Sequence, residues 1–235
     1  ARADGYGRSE AIAAARLDMS DEALTALAGS SVHASGRGAS LTAPNGLAQS
    51  EAMELALARG SLSASEVGCM QPQGLGSALA DPIEMRAVTT VLGTNRLSAL
   101  AIGCHKANTG HSEAPSGLMG LLVAQHAVQQ LQLGTNAQLR ALNPLVAQPM
   151  RQAALPAALP TNGLAMHGID ACGVAAFGVS GVIANAVVRA VEGARMAMAG
   201  VLAPTPRVAY HQRRAFLWRE PTPPLAQRLL PFSDG

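Results

Sequence analysis

One segment of the chain, Cys104–His111, combines residue types that can do chemistry. It holds an asparagine, a histidine at His111, and Lys106, the single lysine among 17 basic residues. An imidazole can transfer a proton near neutral pH, and an ammonium group stabilises negative charge. The segment follows the apolar run Leu97–Cys104 and precedes Ser116–Leu131, whose apolar spacing is helical. The spacing therefore predicts a polar site on a turn between a strand and a helix.

The composition allows a sizeable core and excludes several classes of protein. Apolar residues make up 49% of the 235 residues, whereas aromatic residues make up 3%. The net charge is +2 and Arg213–Arg214 is the one basic run that stands out, so nucleic acid is not expected as a partner. The longest apolar stretch, Gly163–Val188, is interrupted by His167, Asp170 and Asn185, which argues against a membrane span.

The cysteines and histidines show no pattern of a metal site. Cys69, Cys104 and Cys172 have neither paired nor metal-type spacing, and the six histidines form no HxxxH or HExxH pattern. We therefore expect three buried, reduced thiols, no metal and no cofactor. Such thiols suit a soluble protein of a reducing compartment, either the cytoplasm or an organelle interior such as the plastid stroma.

Apolar spacing, glycine and proline together predict alternating helices and strands. The predicted helices are Gln49–Arg59, Pro82–Val91 with Pro82 as its first residue, and Ser116–Leu131. The predicted strands are part of Leu24–Val32, Leu97–Cys104, Asp170–Phe177 and Val182–Val188, the last two around the turn Gly178–Gly181. The predicted loops and irregular segments are Ser35–Gly46, Gln71–Asp81 and Pro144–Pro160. This alternation predicts an α/β layer architecture.

Several motifs occur in one consistent order along nearly the whole chain. They are ADGYGRSE at Ala3–Glu10, LTAPNG at Leu41–Gly46, DPIE at Asp81–Glu84, KANTGH at Lys106–His111, VAAFG at Val174–Gly178, and an aromatic and arginine cluster at Tyr210–Glu220. In this order and spacing they resemble the C-terminal half of a β-ketoacyl synthase (ketosynthase) domain of a polyketide or fatty-acid synthase. LTAPNG is identical to a signature of that family, and KANTGH matches its KTNIGH motif at the lysine, asparagine, glycine and histidine.

The resemblance implies an α/β fold, the C-terminal half of a thiolase-like layered fold with a mixed sheet and helices. It implies two parts, a ketosynthase-like half at 1–190 and an extended post-domain linker or tail at 191–235. The tail is expected to pack on the domain or on a partner. Thiolase folds consist of two similar halves, so a single half exposes the helix faces that the other half covers. We therefore expect a partner, either a complementary N-terminal ketosynthase half or other protein subunits, with an acyl carrier protein as a further candidate.

The resemblance also implies an acyl-transfer and decarboxylative condensation chemistry. A cysteine thiolate takes the acyl chain, and two histidines assist decarboxylation and stabilise the developing enolate. His111 and Lys106 match catalytic positions, and the implied substrate-binding residues are Asn108, Gly178 and Val179. The nucleophile belongs to the half before the ADGY segment, and no residue of this chain matches it. We therefore expect a fragment or a processed part of a longer protein.

Two motifs depart from the family. Gln73 stands where the histidine of the HGTGT loop is expected, and an amide can donate a hydrogen bond but cannot titrate. In the final FGFGGTNAH motif Val179 replaces a phenylalanine that gates the pocket, Ser180 replaces a glycine, and Asn185 replaces the terminal histidine. Cys104 is an alternative nucleophile, because the neighbouring ammonium of Lys106 can lower the pKa of its thiol. However, the match to the family places Cys104 at the end of a strand and not on the turn that carries the nucleophile.

Two main functions remain open. The chain is either a non-catalytic ketosynthase-like fragment with a structural or interaction role in a larger assembly, or the C-terminal half of a condensing enzyme whose nucleophile lies in a missing N-terminal half. The changes at Gln73 and in the last motif favour the first. A domain that decarboxylates or transfers acyl groups without condensation is a third option. If Lys106 is retained for structural reasons, we expect a nearby acceptor, with Glu113 the nearest candidate in sequence. If it belongs to a binding site, Lys106 and His111 should face a pocket that Gln73 and Val179 also line.

Overall fold

The computed structural model describes residues 5–20, 23–36, 43–94, 96–161, 164–165 and 170–191. The expected linker or tail, 191–235, lies outside these residues apart from Val191. The motif Leu41–Gly46 is described from Ala43 onwards, and the motif Ala3–Glu10 from Gly5 onwards.

A six-stranded mixed sheet forms the centre of the fold. Its strand order is β1-β8-β7-β2-β3-β5. The strands are β1 (Thr25–Ala34), β2 (Val67–Gln71), β3 (Leu100–Ile102), β5 (Ala157–Ala158), β7 (Ala171–Phe177) and β8 (Val182–Ala190), and a second sheet pairs β4 (Gln132–Leu133) with β6 (Leu164–Ala165). The pairs β1–β8 and β7–β8 are antiparallel, whereas β2 is parallel to both β7 and β3, and β3 is parallel to β5.

Helices cover both faces of this sheet. The helices are α1 (Gly46–Arg59), α2 (Ala80–Leu92), α3 (Lys106–Thr109), α4 (Ser116–Gln130) and α5 (Pro144–Gln152), with a 3₁₀ turn at Ala64–Glu66. Side chains alternate across a strand, so Ala171 and Ala175 of β7 pack with α1, α2 and α5, while Cys172 and Val174 pack with α4. The expected α/β layer architecture is thereby confirmed.

The strands and helices with long, regular patterns occur where the sequence predicts them, whereas short elements differ. Pro144–Pro160 is predicted to be irregular, but it contains α5 and β5. The Asn143 side chain caps α5 by accepting the N–H of Leu145, and Pro144 occupies the first turn. Leu97–Cys104 contains only the short strand β3, and Gln71 ends β2, a strand that the sequence pattern does not predict. Helix α2 begins at Ala80 and not at Pro82.

The expectation of three reduced thiols is wrong. Cys69 and Cys172 form a disulfide, and Cys104 is free. The two bonded residues are paired in the register of the parallel strands β2 and β7, with their Cα atoms 4.6 Å apart. The spacing along the sequence cannot show this juxtaposition because 103 positions separate the two residues.

Among the described residues, no helix has the length and apolar character needed to cross a membrane.

Candidate functional site

Three loops meet at one edge of the sheet. Strands β2, β3 and β7 run parallel, so the segments that follow them leave from the same edge. This arrangement brings together Gln73 after β2, His111 after β3 and the turn Gly178–Gly181 after β7. The Nε2 atoms of Gln73 and His111 lie 3.2 Å apart, although the residues are 38 positions apart in sequence. Both side chains are buried.

The neighbours of His111 define which of its ring nitrogens carries the proton. Its Nδ1 accepts the backbone N–H of Glu113 at 2.8 Å and lies 3.2 Å from the Ser116 hydroxyl oxygen. A neutral ring whose Nδ1 is an acceptor carries its proton on Nε2. Burial, aided by the Lys106 ammonium, lowers the pKa of His111, which favours this neutral form. The Nε2–H group therefore points towards Gln73.

Gln73 presents a second donor at the same place. Its Nε2 lies 3.4 Å from the carbonyl oxygen of Phe177, to which it donates, as well as close to Nε2 of His111. Two N–H donors then face one region, which suits a carbonyl or carboxylate oxygen as acceptor. If the amide is turned over, its oxygen instead accepts the His111 proton. In either orientation Gln73 hydrogen-bonds but transfers no proton.

Glu84 of α2 holds the loop that carries Gln73. One carboxyl oxygen accepts the N–H of Gln73 at 2.6 Å, and the other accepts the N–H of Gly74 at 3.0 Å. Burial raises the pKa of Glu84 to about 7, while the two N–H groups and the charge of Lys106 act in the opposite direction. The same bonds therefore fix the loop and position Gln73.

Lys106 lies inside the protein and is not at the surface of the site. It is only 7% exposed, in α3, and burial lowers its pKa, opposed by the nearby Cys104 and Glu84. The expected partner, Glu113, lies elsewhere, because its carboxylate is 3.6 Å from Nε of Arg8 at the surface. Burial raises the pKa of the Cys104 thiol, which argues against Cys104 as a nucleophile.

Asn108 connects two loops through its amide. Its Nδ2 donates to the carbonyl oxygen of Thr135 at 2.7 Å, and its Oδ1 accepts the N–H of Ala137 at 3.2 Å. The buried Asn136 acts alongside it by accepting the N–H of Cys104 and donating to the carbonyl oxygens of Ile102 and Pro160. These bonds hold the segment after β3 in place.

A cavity of about 670 Å³ opens in front of Gln73 and His111. Gly178 and Val179 also line it, and Val179 is 94% exposed at the tip of its turn. Lys106, Asn108 and Cys104 are absent from its lining among the described residues. In the described part of the chain, no group of three histidine, cysteine or acidic side chains is arranged to hold a metal ion.

Comparison with known proteins identifies the family. Residues 24–140 match the model of the β-ketoacyl synthase C-terminal domain. A phenolphthiocerol/phthiocerol polyketide synthase protein from Mycobacterium tuberculosis is 33% identical over 225 residues, covering 87% of this chain and 11% of the relative. The chain belongs to the β-ketoacyl synthase family. Erythronolide synthase EryA3 of Saccharopolyspora erythraea is 30% identical over 205 residues, covering 80% of the chain and 6% of the relative.

Solved ketosynthase structures share the fold. The oxazolomycin ketosynthase domain OzmH KS7 of Streptomyces albus JA3453 matches with a TM-score of 0.65 and 24% identity, covering 72% of this chain and 30% of that chain. Together with the family match at residues 24–140, this likeness identifies the chain as a C-terminal ketosynthase half with the thiolase-like α/β fold expected from its motifs. It spans 11% of the length of the mycobacterial relative.

The ketosynthase motifs predict part of this site and miss another part. They lead to Gln73, His111, Gly178 and Val179, which the fold brings to one cavity. They do not lead to the contacts that hold His111, namely the Ser116 hydroxyl and the ring of Tyr6. Tyr6 lies within the ADGY motif, so the motif was the available signal. Asn185 is buried in β8 and does not line the cavity.

Proposed function

We propose that this chain is a ketosynthase-like half that contributes structure to a larger polyketide-synthase assembly and does not itself catalyse condensation. One observation carries the proposal. The group that lies 3.2 Å from His111 is the amide of Gln73, at the position where the family motif has a histidine. The pair Gln73 and His111 therefore contains one titratable ring, whereas decarboxylative condensation in this family uses two.

The energetic consequence of that change is large. A general acid or base contributes roughly 10² to 10⁴ in rate, and each factor of ten corresponds to about 1.4 kcal/mol of transition-state stabilisation. Gln73 retains a hydrogen bond donor, so binding of a carbonyl oxygen can persist without proton transfer. No residue of the chain matches the family nucleophile, and the free thiol of Cys104 is held protonated by burial.

A partner is the second part of the proposal, and the surface of the chain supports it. Helix α4 turns Gly120, Ala124 and Val128 towards the sheet, yet its remaining side chains are also largely apolar. The half-buried ones outside the core cluster that contains Ala124 and Val128 are Leu118, Met119, Leu122 and Val123. Helices that are apolar on both sides are normally covered on both sides. A complementary N-terminal ketosynthase half is the partner that this surface fits best.

The segment at 10–20 supports the same partner. It forms no helix or strand in the structure, and it leaves Ile12, Leu17 and Met19 exposed. A segment without helix or strand and with exposed apolar side chains suits addition to the sheet of a second polypeptide. By the same proposal, the residues 191–235 serve as a linker or tail to a neighbouring domain, and an acyl carrier protein is a further candidate partner.

The test combines the chain with an N-terminal ketosynthase half that carries the nucleophilic cysteine. Acyl and malonyl carrier-protein thioesters are added, and both decarboxylation and the β-ketoacyl product are measured by mass spectrometry. We expect no β-ketoacyl product from the wild type, while Gln73→His increases malonyl decarboxylation at least tenfold because it restores a titratable group. Gln132→His, at an exposed position, is the matched control.

The assembly itself is checked by size-exclusion chromatography with light scattering. Formation of β-ketoacyl product by the wild-type complex would refute the non-catalytic role. It would support the alternative, in which the chain is the C-terminal half of an active condensing enzyme. The observation that favours this alternative is the open cavity, which Gln73 and His111 both line. A stable monomer that binds no N-terminal half would instead contradict the proposed partner.

A further inference from the structure

A short N-terminal segment ties together the two loops that carry Gln73 and His111. This segment, Gly5–Ser9, is called the strap below. At one end the N–H of Gly5 donates to the carbonyl oxygen of Gly76, in the loop after β2, at 3.0 Å. At the other end the N–H of His111 donates to the carbonyl oxygen of Gly7 at 2.8 Å, and the N–H of Ser9 donates to that of His111 at 3.1 Å. The strap thus forms a parallel bridge with the backbone of His111 itself.

Two glycines allow the strap to lie this close. Gly76 has φ +70° and Gly110 has φ +76°, in the region that favours glycine. A Cβ atom on Gly110 would lie 2.9 Å from the carbonyl oxygen of Gly7, and a Cβ atom on Gly76 would clash with the carbonyl oxygen of Gly5. The close approach therefore depends on both loops, each of which lacks a side chain where the strap passes.

The strap carries an aromatic ring to the face of His111. The ring centroids of Tyr6 and His111 are 4.6 Å apart, and the ring planes are tilted by 35°. Tyr6 is 42% exposed and lines the cavity, so its ring separates one face of the imidazole from solvent. Glu113 and Ser116 contact the edge of the His111 ring at Nδ1, so the face of the ring is free to pack against Tyr6.

We propose that Tyr6, held by the strap, is a positioning residue that keeps the His111 ring oriented with its Nε2–H towards Gln73 and the cavity. The hydrogen bond at Nδ1 restrains the ring, which can otherwise rotate about its Cβ–Cγ bond. A ring stacked at 4.6 Å restricts this rotation. The inference goes beyond the proposed function, because it concerns the geometry of His111 whether or not the site catalyses condensation.

Exposure of the imidazole is the measurable consequence. Burial is the main cause of the lowered pKa of His111, and removal of the Tyr6 ring lets water reach one face. The charged groups that act on His111 are the ammonium of Lys106 and the carboxylate of Glu113, which Arg8 partly neutralises. Lys106 and Glu113 lie outside the strap and are unchanged in Tyr6→Leu, so a change in the titration of His111 is expected to report on the ring.

The experiment is an NMR titration of the histidine Cε1–H signals of the full chain, with the His111 signal assigned by its loss in His111→Asn. We expect Tyr6→Leu to move the His111 signal, through loss of the ring current, and to raise its pKa towards the usual value of about 6.5. Tyr6→Phe should retain both properties of the wild type, because it keeps the ring. Gly110→Ala, which displaces the strap but keeps Tyr6, should resemble Tyr6→Leu.

Arg16→Ala, at an exposed position outside the strap, is the control for changes in the N-terminal segment. Thermal melts show whether each variant is folded under the conditions of the titration. A wild-type His111 signal and pKa in folded Tyr6→Leu would overturn the inference. The same holds for a change in Tyr6→Phe as large as that in Tyr6→Leu, since the hydroxyl and not the ring would then be responsible.

Discussion

Glu84 offers the sharpest test of the site, because its carboxyl group is buried and its pKa is raised to about 7. The proposed change is Glu84→Gln, which keeps the size of the side chain and one acceptor oxygen. The glutamine can accept an N–H from either Gln73 or Gly74, but not from both with equal geometry. We therefore expect the lost hydrogen bond to lower the stability of Glu84→Gln by an amount that does not depend on pH. We also expect the variant to lack the pH dependence of stability that Glu84 gives to the wild type.

The magnitude follows from the pKa. A carboxyl group with an ordinary pKa of 4.5 in the unfolded chain and about 7 in the folded chain binds its proton more tightly when folded. Its contribution to stability is therefore fully present below pH 4.5 and is lost as the pH rises through about 7. This difference corresponds to about 3 kcal/mol in the free energy of unfolding. The wild type should lose this amount, and Glu84→Gln should not.

Urea denaturation between pH 4.5 and pH 8 measures the effect as the difference between wild type and variant at each pH. The comparison with the variant is needed because His111 and Lys106, whose pKa values are lowered, make the stability of both proteins depend on pH. Glu54→Gln, on the exposed side of α1, controls for the loss of one carboxylate. Equal pH dependence in wild type and Glu84→Gln would refute the assignment of a buried, proton-binding Glu84.

Two further outcomes test the structure around the site. Titration of the urea-unfolded, unreduced protein with a thiol reagent should find one reactive thiol, that of Cys104. After reduction it should find three, because the disulfide between Cys69 and Cys172 is then broken. Three reactive thiols before reduction would contradict this disulfide. Asn136→Ala should lower the free energy of unfolding by about 2–3 kcal/mol, because it strands the buried N–H of Cys104 and two carbonyl oxygens, whereas the exposed Asn108→Ala should cost about 1 kcal/mol. Equal losses in urea denaturation would contradict this difference.

Sequence patterns predict the long elements of this fold and miss the contacts that join them. Asp170–Phe177 and Val182–Val188 are apolar runs around a glycine-bearing turn, the spacing in α4 is helical, and all three elements occur as predicted. Strand β2 is short and entirely buried, so its pattern has no polar face to mark it. Helix α5 contains Pro149, which reads as a break even though the helix passes through it.

The site shows the same division. The motifs predict Gln73 and His111 as residues of one site, and parallel strand pairing explains why they meet. The stacking of Tyr6 on His111 and the pairing of Cys69 with Cys172 join positions more than 100 residues apart. Such contacts depend on register and loop geometry, which local patterns do not contain. For the same reason, proximity in sequence suggests Glu113 as a partner of Lys106, whereas its carboxylate lies beside Arg8.

In our proposal, the amide of Gln73 alters the proton chemistry of a site whose other contacts are in place. Glu84 fixes the loop through two N–H groups, the strap bridges Gly76 and His111, and His111 presents its Nε2–H. A histidine in place of Gln73 could accept a proton from a substrate, whereas the amide can only donate or accept a hydrogen bond. On our proposal, a site with these side chains and without a second histidine holds a carbonyl group without transforming it. Holding an acyl group and catalysing its condensation would then be separable, and replacement of Gln73 by histidine is the perturbation that tests this separation.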